Sequence, residues 1–156
     1  MSGVLRGESS QGAKMTSVYA ETVNVSLRIG PDIGDITDKL VRVIERSGIQ
    51  TGILQTTVTG STGSITTIEY EPGVVEDLKK AIERIAPRDM EYAHELAWHD
   101  GNGHSHVQAA IMGPSAVFPV RGGRLLLGSW QQVVVINHDN KPRERKVEVT
   151  VMGSRD

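Results

Sequence analysis

The sequence predicts a single α+β domain, a mostly antiparallel sheet carrying two main helices. Three observations lead there. Two segments place apolar residues at helical spacing, seven others are short and rich in β-branched residues, and the strand-like segments mostly follow one another instead of alternating with helices. At 156 residues the chain has the size of one ordinary domain and buries a core without cross-links.

Residues 16–30 (TSVYAETVNVSLRIG) alternate and favour a strand, with a change of register partway that predicts a bulge. Residues 35–48 (DITDKLVRVIERSG) switch to helical period. Ile36, Leu40, Val43 and Ile44 share a face, Asp35 is the expected N-cap, and Gly48 the stop. Residues 50–60 and 64–73 are predicted strands joined by the turn TGSTGS, residues 59–64. Residues 74–87 form the second helix, burying Leu78, Ile82 and Ile85 and ending at Pro87. Four more strands are expected, over residues 106–113, 115–120, 124–139 and 145–153, with a hairpin turn at Asp139–Asn140 between the last two. Within the third of these, residues 133–136 (VVVI) are apolar on both faces, so that strand is either sandwiched inside the domain or covered by another subunit.

Composition narrows the function. With 17 basic and 19 acidic residues the net charge is −2, and there are only 2 Trp, 3 Tyr and 1 Phe. Neither a polyanion-binding surface nor a base-stacking platform is indicated, so nucleic acid is not an expected partner. No apolar run approaches the ~20 residues of a membrane helix, so a membrane is not expected either. Residues 1–15 read as an N-terminal extension and not as a signal peptide, residues 16–156 as the domain, and the cytoplasm is the expected location. There is no cysteine, which leaves His, Asp, Glu and backbone oxygen as the available metal ligands.

Chemistry-bearing residues concentrate in residues 94–106, with His94, His99, His104 and His106 alongside Asp100 and Asn102. If the strand at His106 extends back to His104, both rings point to one face, where a third ligand from His94, His99 or Asp100 completes a metal site. The same groups also suit a general acid–base pair, or a polar loop facing solvent. In the TGSTGS turn, Ser61, Thr62 and Ser64 with their backbone amides offer a cradle for an anion, or make a simple hairpin turn. Glu69 either orients a metal-bound water or is a solvated strand end. Trp130 is expected in the core with Gln131 facing the other way, toward a site or interface. Residues 141–146 (KPRERK) read as a solvated hairpin edge, with phosphate binding by Arg143 or Arg145 the lesser reading.

The chain resembles the YjbQ-like family, often labelled secondary thiamine-phosphate synthases. The resemblance is carried by Tyr92 and His94, Asn102 and His106, Gly113 and Ser115, Pro119, the run Gly123, Leu125, Leu127, Gly128, Trp130 and Gln131, then Arg143, Arg145 and Gly153. It implies a YjbQ-like α+β fold that assembles as a homotrimer, with a polar pocket near subunit boundaries and histidines that hold a divalent metal, zinc or magnesium. The implied activity joins hydroxymethylpyrimidine diphosphate to a thiazole phosphate, releasing pyrophosphate. In that scheme the metal sits on His94, His104 and His106, Glu69 and Asp100 assist with His106, and Ser61, Thr62, Ser64, Asn102, Ser115 and Gln131 hold the small phosphorylated metabolite. Alternatives are a metal-dependent hydrolase of a phosphorylated metabolite and a non-catalytic metal- or ligand-binding trimer. One departure stands out: bacterial relatives carry a histidine where this chain has Gly60, and an acidic residue where it has His104. The exchange predicts that His104 replaces the lost imidazole.

Overall fold

The computed structural model describes residues 15–156. The extension expected over residues 1–15 lies outside these except for Met15. Two antiparallel sheets organise the fold. The five-stranded sheet has β1 (Ser17–Leu27), β8 (Arg143–Ser154), β3 (Thr51–Val58), β5 (Ser115–Arg121) and β6 (Arg124–Leu125) in that order, and the three-stranded sheet has β2 (Asp32–Asp35), β7 (Gln132–Asn137) and β4 (Gly63–Ile68). The helices are α1 (Thr37–Ser47), α2 (Pro72–Ile85), the single turn α3 (Glu95–Trp98) and α4 (Gly103–Met112).

The alternation of the first strand works as a burial code. Val23, Val25 and Leu27 face inward while their neighbours are exposed. Pairing with β8 runs unbroken from Ser17 opposite Gly153 to Leu27 opposite Arg143, so there is no bulge. In α1 the stripe of Leu40, Val43 and Ile44 is buried, and Gly48 ends the helix with φ 67°. Asp35 accepts the Thr37 amide at 2.8 Å, although Ile36 occupies the N-cap position itself.

Burial sorts the elements into layers. The inner face of the five-stranded sheet packs, with α1, against Ile65, Val133 and Val135 of the smaller sheet. The opposite face of the smaller sheet presents Ile33, Val134 and Ile136 to Val75, Leu78 and Ile82 of α2 and to Met112 of α4. The four residues of VVVI are therefore fully buried because β7 lies between two layers of its own chain.

Several expectations need correction. Ile85, expected in the core, is the last residue of α2 and is 61% exposed, because the helix end extends past the layer it covers. Residues 106–112, expected as strand, belong to α4, and Gly113 closes it. The face α4 buries is made of His104, Ser105, Gln108 and Ala109, which have helical spacing but little apolar character, so hydrophobic periodicity does not reveal it. Residues 59–62 and 138–142 are not hairpin turns; each carries the chain from one sheet to the other. Only Arg124 and Leu125 of the segment before β7 are strand, and Trp130 stands in the loop that follows, 73% exposed instead of in the core. The four-residue β2 carries no pattern long enough to read.

Because β7 has no solvent face, truncation there removes contacts on a side that cannot refill. Ile136→Ala is expected to cost about 2–5 kcal/mol in urea denaturation, whereas Leu96→Ala, on the exposed side of α3, changes stability by less than about 0.5 kcal/mol.

Candidate functional site

The turn α3 and the start of α4 are joined by a tight loop. His99 closes α3 in the left-handed region with φ 51°, and Gly101 has φ 67°. The Glu95 carboxylate folds back over this loop, accepting the amides of Gly101 at 2.8 Å and Gly103 at 2.9 Å. Those two bonds, Gly101 foremost, hold its pKa below the ordinary carboxylate range. Gly103 is required by close approach, since a Cβ there would stand 2.5 Å from Cβ of Tyr92.

This loop brings His94 to Asp100 and His106. His94 Nε2 lies 3.4 Å from Asp100 Oδ1, and its ring centre is 4.6 Å from that of His106. Nε2 of His94 is buried without a hydrogen-bond partner among the described residues; the carboxylate is near, but the geometry is not that of a bond. Ligand atoms of His94, Glu95 and Asp100 fall within 4.8 Å of one another. Trp98 lies nearly parallel to His94 at 6.4 Å between centres and is itself 71% exposed.

His104 goes elsewhere. On a helix, residues two apart point roughly 200° away from each other, so the shared face expected for a strand does not form. The His104 ring is 3% exposed, 3.2 Å from Ser105 Oγ and next to Tyr92. Burial pushes its pKa down. His106, on the other side of α4, lines a pocket of about 260 Å³ with Gly60, Ser61, Gly63, Ala109 and Pro114. His99 is exposed.

The remaining predicted residues separate into three groups. Ser61 lines the pocket; Ser115, next to Pro114, begins β5 opposite Thr57. Thr62, Ser64 and Asn102 are buried in the structure beneath it. Asn102 Oδ1 accepts the Asn140 amide at 3.2 Å and lies 2.6 Å from Ser105 Oγ, fastening α4 to residues 138–140. Glu69 and Gln131 are far away: Glu69 follows the opposite end of β4, about 20 Å from Gly63 along the strand, and Gln131 bonds Thr67 and Gly128.

Beneath the pocket lies a polar cluster that sequence reasoning missed. His138 is fully buried, with Nδ1 3.1 Å from Gln108 Oε1 and Nε2 2.7 Å from Ser64 Oγ. Gln108 spends its amide on the Ala86 carbonyl at 2.9 Å, so its oxygen accepts. That assigns the proton of neutral His138 to Nδ1 and makes the Ser64 hydroxyl a donor to Nε2. Burial, reinforced by the nearby Arg145 charge, lowers His138 to about 4. Asp139, also buried, accepts from Thr62 Oγ1 and Arg143 Nε at 2.9 Å each; burial alone would raise its pKa, but these bonds outweigh it and hold the carboxyl down. Arg145 is inside as well, not on a solvated edge. Its Nη2 donates to the Thr62 carbonyl at 2.8 Å and to Asn137 Oδ1. The signal for this cluster was the polar run Asn137-His138-Asp139 directly after an apolar strand.

Known proteins resemble this chain over most of its length. The family model described as UPF0047 protein YjbQ-like matches residues 21–154. A UPF0047 protein of Methanothermobacter thermautotrophicus is 33% identical over 136 residues, 87% of this chain and 93% of that protein. The crystal structure of a YbjQ-like protein of unknown function from Sulfolobus solfataricus P2 superposes with TM-score 0.85 at 34% identity, covering 90% of this chain and 100% of that one. A hypothetical protein of Aeropyrum pernix K1 gives TM-score 0.77 at 32% identity, with 86% and 99% covered. These relatives bring no activity with them. The expected synthesis of thiamine phosphate is thereby corrected, because the family it was inferred from is one of unknown function. The phosphorylated-metabolite hydrolase and the non-catalytic binding trimer have no support there either.

The two buried histidines fix the sign of an acid effect. Both have pKa values below the ordinary 6.5 in the fold, so unfolding takes up protons once the pH falls below that value. The contribution of His138 is complete above pH 6.5 and is lost as pH drops toward about 4, and that of His104 is lost in the same direction. His138 alone accounts for roughly 3 kcal/mol of this loss. Urea midpoints measured from pH 7.5 to 4.5 are expected to fall steeply in the native chain and less steeply in His138→Gln.

Proposed function

The chain belongs to the UPF0047 YjbQ-like family, and from its site we propose a cation-assisted acid–base centre acting on a small molecule. One observation carries this reading: the buried, unbonded Nε2 of His94 beside Asp100 and the His106 ring. An imidazole nitrogen withheld from both water and hydrogen bonds is what a bound cation requires of its ligand. His94 and Asp100 are the proposed ligands. Glu95, though convergent with them, is occupied by two loop amides and serves to hold the loop. Mixed nitrogen and oxygen donors favour zinc over magnesium, which prefers oxygen alone. A bound divalent cation supplies positive charge and Lewis acidity at the pocket edge. His106, which faces the pocket, is the group that takes or gives a proton there.

We further propose that copies of the chain associate, as a homotrimer, through the outer face of the five-stranded sheet. Val18, Met152, Ile53 and Pro119 are cross-strand partners in one row over four adjacent strands, and all four are exposed. A contiguous apolar row of this kind favours burial against another surface.

Metal analysis of the purified chain equilibrated with zinc and then dialysed checks the first proposal. About one equivalent is expected in the native chain and in His104→Ala, and none in His94→Ala or Asp100→Ala. Equal zinc in all four proteins rejects the ligand assignment, and loss in His104→Ala alone restores the exchange of Gly60 for His104. For the second, sedimentation of Ile53→Glu is expected to show a monomer where the native chain sediments as a trimer.

A further inference from the structure

The charge on Arg145 has no full counterpart in the fold. Its side chain is 6% exposed, and its hydrogen bonds go to neutral oxygens: the Thr62 carbonyl at 2.8 Å, the Thr62 hydroxyl at 2.7 Å, and Asn137 Oδ1. The carboxylate within ion-pair reach of it is Asp139, 3.9 Å away. Arg143 already claims that carboxylate, with Nε and Nη2 both at 2.9 Å. Two guanidinium groups thus share one carboxylate, and the neighbouring His138 is neutral at ordinary pH. Arg143 is half exposed and shares its charge with solvent, whereas Arg145 is buried with its carboxylate partner at the outer limit of an ion pair, an arrangement that a further anion relieves.

The free side of that guanidinium is the side of the pocket. Nη1 makes no hydrogen bond among the described residues. A Cβ on Gly60 would stand 3.3 Å from Nη1, and one on Gly63 3.5 Å from Cζ. These are the two glycines that line the pocket together with Ser61 and His106. Gly60 has φ 113°, a conformation that side-chain-bearing residues rarely adopt. Only backbone therefore separates the charge from the pocket there. The amides of Gly60 and Ser61, both exposed, take no part in the pairing that holds β3 and β4, which leaves them available to a ligand.

We propose that this pocket binds a small tetrahedral oxyanion, a phosphate group either free or at the end of a small monoester, as the counter-charge to Arg145. Loop amides and the Ser61 hydroxyl provide several donors around one anion, and the guanidinium behind them provides the charge. His106 is then the ionisable side chain facing the bound group. The inference does not rest on a cation at His94.

The test uses the full chain after chelator treatment, titrated at constant ionic strength with inorganic phosphate and with methyl phosphate, against chloride and acetate. Calorimetry is expected to show saturable binding of one or both phosphates, with amide resonances of residues 60–63 shifting on titration. Preference between the two phosphates distinguishes a free ion from a monoester. Ser61→Asp, an exposed position on the pocket wall, supplies an internal carboxylate and is expected to weaken phosphate binding by about tenfold or more. Arg145→Lys is expected to weaken it as well, and Ser61→Asp keeps the test decisive should the buried substitution fail to fold. Phosphate binding no tighter than chloride overturns the proposal. So does unchanged binding in Ser61→Asp, or a titration that leaves the resonances of residues 60–63 unmoved. Because metal is absent throughout, any of these failures leaves the His94 proposal standing, and loss of zinc binding leaves this one.

Discussion

One guanidinium ties together the places where the chain passes between its two sheets. Arg145 projects from β8 in the larger sheet and bonds Thr62 in the passage from β3 to β4 and Asn137 at the end of β7. Neither passage has a hairpin to shape it, so side chains do the work that turn geometry does elsewhere. Thr62 continues the network to Asp139, and Asp139 to Arg143 and the Lys141 amide. From the same loop, the His138 carbonyl and ring take Ser105 and Gln108 of α4. The helix that presents His106 is thus held by polar contacts to a loop that Arg145 organises. Removing a partner from such a network leaves buried groups unpaired, so its members depend on one another more than any single bond would indicate.

Helix α4 is where chemistry and fold are hardest to separate. Its buried face is polar, and its exposed face carries Val107, Ala110 and Ile111, the reverse of an ordinary amphipathic helix. That reversal explains how His104 and His106, so close in sequence, serve different ends. One ring packs under Tyr92 as part of the interior, and the other meets the pocket. The proposed exchange of an imidazole between Gly60 and His104 has no spatial counterpart here, since the structure does not bring His104 to His94 and His106. What Gly60 does instead is let backbone lie directly over Arg145.

The α+β class, α1 with its glycine stop, α2, and the long pairing strands were legible because each repeats a simple period over many residues. The double-faced burial of residues 133–136 was legible as well, although only the structure says which layers cover it. The histidine segment and the loop at Ser61 were singled out from residue types alone, and the structure brings His106 and Ser61 to one pocket. What stayed hidden was everything that depends on polar burial. A sequence shows Arg145 among charged neighbours and gives no sign that it turns inward, because the reason lies in Thr62 and Asn137, 83 and 8 residues away. His138 was hidden for the same reason. The function implied by resemblance failed for a different one: a family label was carried over where only a fold was shared knowledge.

The placement of the two tryptophans gives the molecule an unusual optical character. Trp98 and Trp130 are the whole tryptophan complement, and both stand mainly in solvent, away from the buried core. Their emission in the native chain belongs to wet indoles, so unfolding changes it little and is poorly followed by fluorescence. Trp98 stands against the His94 ring, and Trp130 in the loop entering β7, away from that site. In this protein tryptophan emission therefore senses what arrives at the surface beside α3 and before β7, and the buried core carries no indole.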